Sequence, residues 1–234
     1  LDQQAPSTTA LATPRLAASG YYTAPVTVSL TPIDPVSGVS VTWLRANGGP
    51  WLARTAYQIA QDGLTTMDYY SVDVAGNVEI SRSLAITLDA TAPFAPVAAA
   101  IEPQGWSADN SFALRWQNPS DFSGIAGAYI HLAATPPQAG QGVFYPLPNP
   151  DAPAAELLGL AAPEEGEWPV WLWLVDGAGN AKPATAQLAG ALRHDATAPQ
   201  LGLEVAGLQG NGSWYIGPID ITLTITDAGS GPTF

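Results

Sequence analysis

"YYSVDVAGN" (residues 69–77) and "LWLVDGAGN" (residues 172–180) carry one pattern twice. Each is a run rich in apolar and aromatic residues that closes on Val-Asp-x-Ala-Gly-Asn. The run reads as a strand. Gly and Asn accept a left-handed backbone at little cost, so Ala-Gly-Asn reads as the turn that follows. A strand and turn recurring a domain's length apart mark a repeated unit, and the repeat decides how the rest of the chain divides.

Two further markers recur in step. Asp-x-x-Ala-Pro stands at Asp2–Pro6, Asp89–Pro93 and Asp195–Pro199, the last two both reading "DATAP". An Asp shortly before Ser-Gly stands in "DPVSG" from Asp34, "DFSG" from Asp121 and "DAGSG" from Asp227. The order linker, Ser-Gly loop, Ala-Gly-Asn turn is complete in two units. A third unit stops after its Ser-Gly loop, which reads as a piece of something longer. The predicted division is residues 1–89, 90–195 and a truncated third repeat, 196–234.

Between the markers the text alternates with period two. "VTVSLT" puts Val26, Val28 and Leu30 on one face, "NSFALRW" does so with Phe112, Leu114 and Trp116, and "IDITLTIT" with Ile219, Ile221, Leu223 and Ile225. That alternation describes strands with one buried face. No segment keeps a 3.6-residue apolar stripe over three turns, so the chain reads as all-β. Unit one predicts strands near 9–17, 25–32, 39–46, 50–54, 56–60, 66–74 and 78–88. Unit two predicts them near 97–102, 110–117, 126–133, 142–146, 154–160, 168–175 and 182–193. "NGG" at Asn47–Gly49 is a hairpin signal. Seven short strands per unit make an immunoglobulin-like β-sandwich.

Composition narrows the function classes. Seven Lys+Arg against 20 Asp+Glu give a net charge of −13, which repels nucleic acid and anionic membrane. No apolar run reaches the ~18 residues of a membrane span. The chain has no Cys, so it has neither a thiol nucleophile nor a thiolate zinc site. Its two histidines, His131 within "AYIHLA" and His194 before "DATAP", lie far apart in sequence. A histidine triad would require an accidental meeting with Ser and Asp. The expectation is no enzyme.

"GYYTAPVTVSLTPIDPVSGVSVTWLRANGGPW", with "YYSVDVAGNVE", resembles the bacterial Ig-like repeats found in tandem on large secreted and cell-surface proteins. "LRWQNPSDFSGIAGAYIHL", with "EGEWPVWLWLVDGAGN", is similar to a fibronectin type III domain. Trp116 lies on its second strand, and Trp168 stands where that family often has a corner tyrosine. "GSWYIGPIDITLTITDAGSG" looks like the first third of another repeat of the first kind. The resemblance implies tandem immunoglobulin-like and fibronectin type III-like sandwiches, extracellular or on a cell surface. Such modules serve as spacers, adhesion modules and enzyme accessories alike.

Placed on that fold, the Ser-Gly loop and the Ala-Gly-Asn turn lie at the pole where the linker enters. Asp89, Asp121 and Asp176 should therefore gather at the junction of units one and two, Asp2, Asp34 and Asp73 at the free pole, and Asp195 with Asp227 at the next junction. Three carboxylates from separate loops suit Ca²⁺, with carbonyls or water completing its six to eight oxygens. The alternative is that each Asp caps its own turn's amides. "DATAP" reads as a short, stiff linker, since Pro fixes φ and suppresses helix before it.

In "WPVWLWLV", a core set of Val170, Leu172 and Leu174 sends Trp171 and Trp173 outward, as a stacking platform for sugar or a protein contact. Tyr129 or His131 on the neighbouring strand would extend it. The alternative is that a loop, such as "PLPNPDAPAA" from Pro146, folds over them. Residues 200–234 give two strands whose apolar face must cover something, predicting an exchange-type dimer or a poorly ordered tail. The function expected is a non-catalytic spacer or adhesion module whose partners are neighbouring repeats of its own polypeptide or a surface protein. The second expectation is a carbohydrate-binding accessory region using Trp171 and Trp173.

Overall fold

Alternating apolar residues build two sandwiches in the computed structural model, which describes residues 1–231. In the first, β1 (Ser7–Thr13), β2 (Val26–Ile33) and β5 (Ala56–Ile59) form an antiparallel sheet in the order β1-β2-β5. It faces a second sheet of β3 (Val39–Ala46), β4 (Leu52–Ala53), β6 (Gly63–Asp73) and β7 (Arg82–Leu88), in the order β4-β3-β6-β7. Val26, Val28 and Leu30 of β2 fill the gap against Leu44, Met67, Tyr69, Ile86 and Leu88. Each of these comes from the inward parity of its strand. The sheets are held by that burial, worth roughly 1.5–3 kcal/mol per large side chain.

The second sandwich repeats the plan. Strands β8 (Val97–Glu102), β9 (Phe112–Gln117) and β12 (Ala154–Leu160) pair in the order β12-β9-β8. They face β10 (Ile125–Leu132), β11 (Val143–Pro146), β13 (Gly166–Asp176) and β14 (Gln187–His194), in the order β11-β10-β13-β14. Phe112, Leu114 and Trp116 pack against Ile130, Val170, Leu172, Leu174 and Leu192. Apart from one 3₁₀ turn, Pro183–Thr185, the described residues form no helix, and none of them forms a helix long and apolar enough to cross a membrane.

The sequence resemblance separates the two units into different kinds, yet their strand order is one. In both, the fourth strand pairs with the third, whereas in a constant-type immunoglobulin domain it joins the sheet of the first, second and fifth. The turn after β3 shows why. Asn47 and Gly48 take φ of 49° and 69°, and Gly49 N donates to Ala46 O at 2.9 Å, a tight turn that folds β4 back on β3.

Three predicted strand bounds shift by four residues or more, among them the start of β7, which lies at Arg82 instead of residue 78. β1 ends at Thr13 because Pro14 has no N–H for the ladder. β14 begins five residues later than expected because Pro183 starts the 3₁₀ turn. Residues beyond the second linker form a hairpin of β15 (Gln200–Gln209) and β16 (Tyr215–Thr226). Leu201↔Ile225, Leu203↔Leu223 and Val205↔Ile221 oppose one another, so they share a face. Leu201, Leu203, Ile221, Leu223 and Ile225 all stay exposed.

Candidate cation site at the linker pole

The Asp of each Ala-Gly-Asn turn ends a strand and caps the turn that follows. Asp176 Oδ1 accepts Gly179 N and Asn180 N, both at 2.7 Å, and Oδ2 accepts Asn180 Nδ2 at 2.8 Å. Asp73 does the same through Asn77 N and Asn77 Nδ2, both at 2.7 Å. The capping alternative of the sequence is thus real chemistry here. It accounts for one carboxylate in each cluster and leaves the others incompletely used.

The turn then meets the Ser-Gly loop. Gly177 N donates to Gly124 O at 3.0 Å and Ala178 N to Ser123 Oγ at 3.0 Å. A Cβ at position 177 would stand 2.4 Å from Ser123 O, so only glycine allows this approach. Asp121 in that loop accepts Ser123 N and Ser123 Oγ on Oδ1 alone. Asp89 arrives from the linker, placed by the bond of its N–H to Tyr22 O at 2.8 Å.

Together these contacts bring Asp89, Asp121 and Asp176 to one place, with one carboxylate oxygen of each within 4.8 Å of the others. Asp89 is 1% exposed; its Oδ1 takes a long bond from Thr91 N at 3.4 Å, and its Oδ2 is buried without any partner. Burial, then the charges of Asp176 and Asp89, raise the Asp121 carboxyl to about 6. Burial, with a smaller push from Asp89, raises Asp176 against the hydrogen bonds of Asn180 and Gly179.

At the N-terminal pole of the first sandwich Asp2, Asp34 and Asp73 meet under the same 4.8 Å limit. Asp34 Oδ1 accepts Val36 N, Ser37 N and Gly38 N, and Asp2 Oδ1 accepts Gln4 N, while Oδ2 of both is buried without a partner. The bond from Gln4 N, followed by Ser37, holds the Asp2 carboxyl below its ordinary range. At the second linker the meeting is of another kind. Asp195 Oδ2 accepts Ser230 N at 2.6 Å and its Oδ1 accepts Thr197 N, whereas Asp227 caps Gly229 and Gly231.

The outward tryptophan pair requires correction. Its parity is as read, with Val170, Leu172 and Leu174 in the core, but Trp173 is only 2% exposed. Its ring stacks on Tyr129, with centroids 5.1 Å apart and planes 10° from parallel. The cover is the β10–β11 connection, where a Cβ at Gly142 would stand 2.4 Å from Trp173 Cη2, and not the segment from Pro146. Trp171 is half-buried and donates from Nε1 to Ala133 O at 3.1 Å. Trp171 and Trp173 therefore do not form the exposed pair that the sequence suggested.

Some contacts had no sequence signal. Glu165 braces the second linker, accepting Ala196 N at 3.0 Å and Thr197 Oγ1 at 2.8 Å. Trp168 Nε1 donates to Glu164 O at 3.2 Å, so an indole reaches back along the chain from the corner position. His194 Nδ1 lies 3.3 Å from Ser107 O, and His131 lines a groove of about 510 Å³ between β11 and β12. Among the described residues neither histidine is hydrogen-bonded to a carboxylate.

No family model matches the sequence, and no curated protein matches it. Among solved structures the chain is similar to the fibronectin(III)-like modules of Clostridium thermocellum CbhA, at 13% identity and a TM-score of 0.36, over 80% of this chain and 95% of that one. It is similar to the FN1–FN3 domains of chicken CNTN1 at 12% identity and a TM-score of 0.34, over 73% of this chain and 64% of that one. The D00–D0 domain of intimin gives 11% identity and a TM-score of 0.34, over 80% and 98%. Likenesses this distant carry no argument, and the functional reading rests on the residues of this chain.

Proposed function

We propose that this chain is a non-catalytic structural spacer or adhesion module of a secreted or surface-anchored protein, and that Ca²⁺ bound at its linker poles holds successive sandwiches in line. The observation that carries the reading is Asp89, a buried carboxylate whose Oδ2 has no donor and which clusters with two further carboxylates. Unit charges about 5 Å apart near a protein surface repel by on the order of 3 kcal/mol per pair. A divalent ion turns that repulsion into attraction.

Coordination chemistry favours calcium. Ca²⁺ takes six to eight oxygens in flexible geometry, as three separate loops would supply them, whereas Mg²⁺ demands a near-ideal octahedron and usually keeps several waters. Asp89 belongs to the linker, Asp121 to the Ser-Gly loop and Asp176 to the Ala-Gly-Asn turn. One ion on all three removes the linker's freedom to pivot. An acidic surface, net −13, keeps such an array soluble and extended.

The test is a pair of thermal melts, in millimolar Ca²⁺ and in excess chelator. Ligand that binds only the folded state raises the melting temperature as mass action requires. The reading expects the calcium curve to lie several degrees above the chelated one; superimposed curves sink it.

A further inference from the structure

The last residue of each Ala-Gly-Asn turn does something its capping role does not require. Asn180 Nδ2 donates both to Asp176 Oδ2, at 2.8 Å, and to the linker carbonyl Asp89 O, at 2.9 Å. A sandwich away, Asn77 Nδ2 donates to Asp73 Oδ2 at 2.7 Å and to Gln4 O at 3.2 Å, with Asp2 O at 3.5 Å. Two copies of the motif thus place the same amide between turn and incoming chain. Only a primary amide carries two N–H donors on one nitrogen at this reach; Asp has none, and Gln is one carbon longer.

We infer that Asn180 and Asn77 are positioning residues, each a latch that fixes the path of the linker entering its sandwich. The latch needs no ion, because both of its bonds join groups of the chain. It acts where the two sandwiches touch: Ser19 Oγ donates to Ala178 O at 3.1 Å, and Tyr21 meets Phe122 edge-on at 6.4 Å. The strands of one sandwich do not pack extensively against those of the other, so relative motion is the default, and the bond from Asn180 to Asp89 O restricts the pivot itself. A capping Asn alone would need only its own N–H, which already reaches Asp176 Oδ1 at 2.7 Å.

The chain has no cysteine, so Gln58→Cys and Gln187→Cys, both exposed, place one spin label on each sandwich. Pulsed electron resonance then reads the distribution of distances between them. In chelator, Asn180→Ala should broaden that distribution by about twofold over the parent, with each sandwich still melting cooperatively. Asn77→Ala removes the same chemistry from the other pole and should leave the distribution unchanged, while speeding amide exchange at residues 3–5. An unchanged width for Asn180→Ala in chelator overturns the latch, and so does equal broadening by both variants. Should Asn180→Ala melt the second sandwich, Asn180→Leu, which nearly keeps size and loses the donors without adding a charge, must give the broadening. The calcium reading fails separately, if added Ca²⁺ leaves the parent's distribution and melting temperature unchanged.

Discussion

Glu79 accepts Thr8 Oγ1 at 2.5 Å and Thr8 N at 2.8 Å, deep between the sheets of the first sandwich. Ser71 N adds a third donor at 3.2 Å, Thr8 Oγ1 and Thr42 Oγ1 both meet Ser71 Oγ, and Arg82 Nε lies 3.3 Å from the carboxylate. A buried anion is tolerable only with such satisfaction. One side chain thereby ties β1 of one sheet to β6 of the other.

Removing it deprives the buried Thr8 N and Ser71 N of that acceptor and leaves Thr8 Oγ1 only its bond to Ser71. Glu79→Ala is expected to cost about 2–4 kcal/mol, and Glu79→Gln less, because the amide oxygen still accepts. Urea unfolding of the two variants checks the order.

The junction carboxylates set a pH dependence in chelated protein. Asp121 is raised to about 6 and Asp176 is also raised, each chiefly by burial. A group held above its unfolded value stabilises fully below that value, near 4, and the contribution fades as pH rises through about 6. Asp2, Asp68 and Asp195 are held low, so their contributions change only below about pH 4. Chelated protein should therefore melt higher at pH 5 than at pH 7. With Ca²⁺ the order should reverse, because protons compete with the ion for the same oxygens. Melts across that range in both buffers decide it, and a flat chelated profile contradicts the electrostatics.

Trp173 should behave as core. Trp173→Ala is expected to cost about 3–5 kcal/mol, the penalty of an emptied aromatic site. Trp171→Ala should cost clearly less, since part of that side chain already meets water. A surface-sized penalty at Trp173, measured by denaturant unfolding, would show that the β10–β11 connection does not hold its cover.

The hairpin β15–β16 carries an apolar face that no other described residue covers. Two strands alone are marginal in water. Its amides should exchange with solvent well before those of β6 and β13, each paired on both sides within a packed sheet. Slow exchange across residues 201–225 would mean that the face is covered in solution.

Strand positions were legible because period-two alternation and Gly or Pro punctuation are local signals, and "VTVSLT" or "NSFALRW" needs no tertiary context to be read. The carboxylate clusters were legible for a different reason. A repeated marker, combined with the poles that a seven-strand sandwich assigns to its loops, places Asp89, Asp121 and Asp176 together without any contact being known. What stayed hidden depends on which backbone passes over a side chain. Parity put Trp173 on the outer face, but only the path of residues 133–142 decides that the face is covered there. Glu79 and Glu165 look like surface acids in the sequence, and only their partners show otherwise.

Calorimetric titration with Ca²⁺, of the parent and of Asp89→Asn, addresses the central claim most directly. The account predicts saturable heat for the parent with about two ions per chain, falling to about one when Asp89 loses its charge, since the pole of Asp2, Asp34 and Asp73 is untouched. No heat in the parent, or an isotherm that Asp89→Asn leaves unchanged, would contradict it.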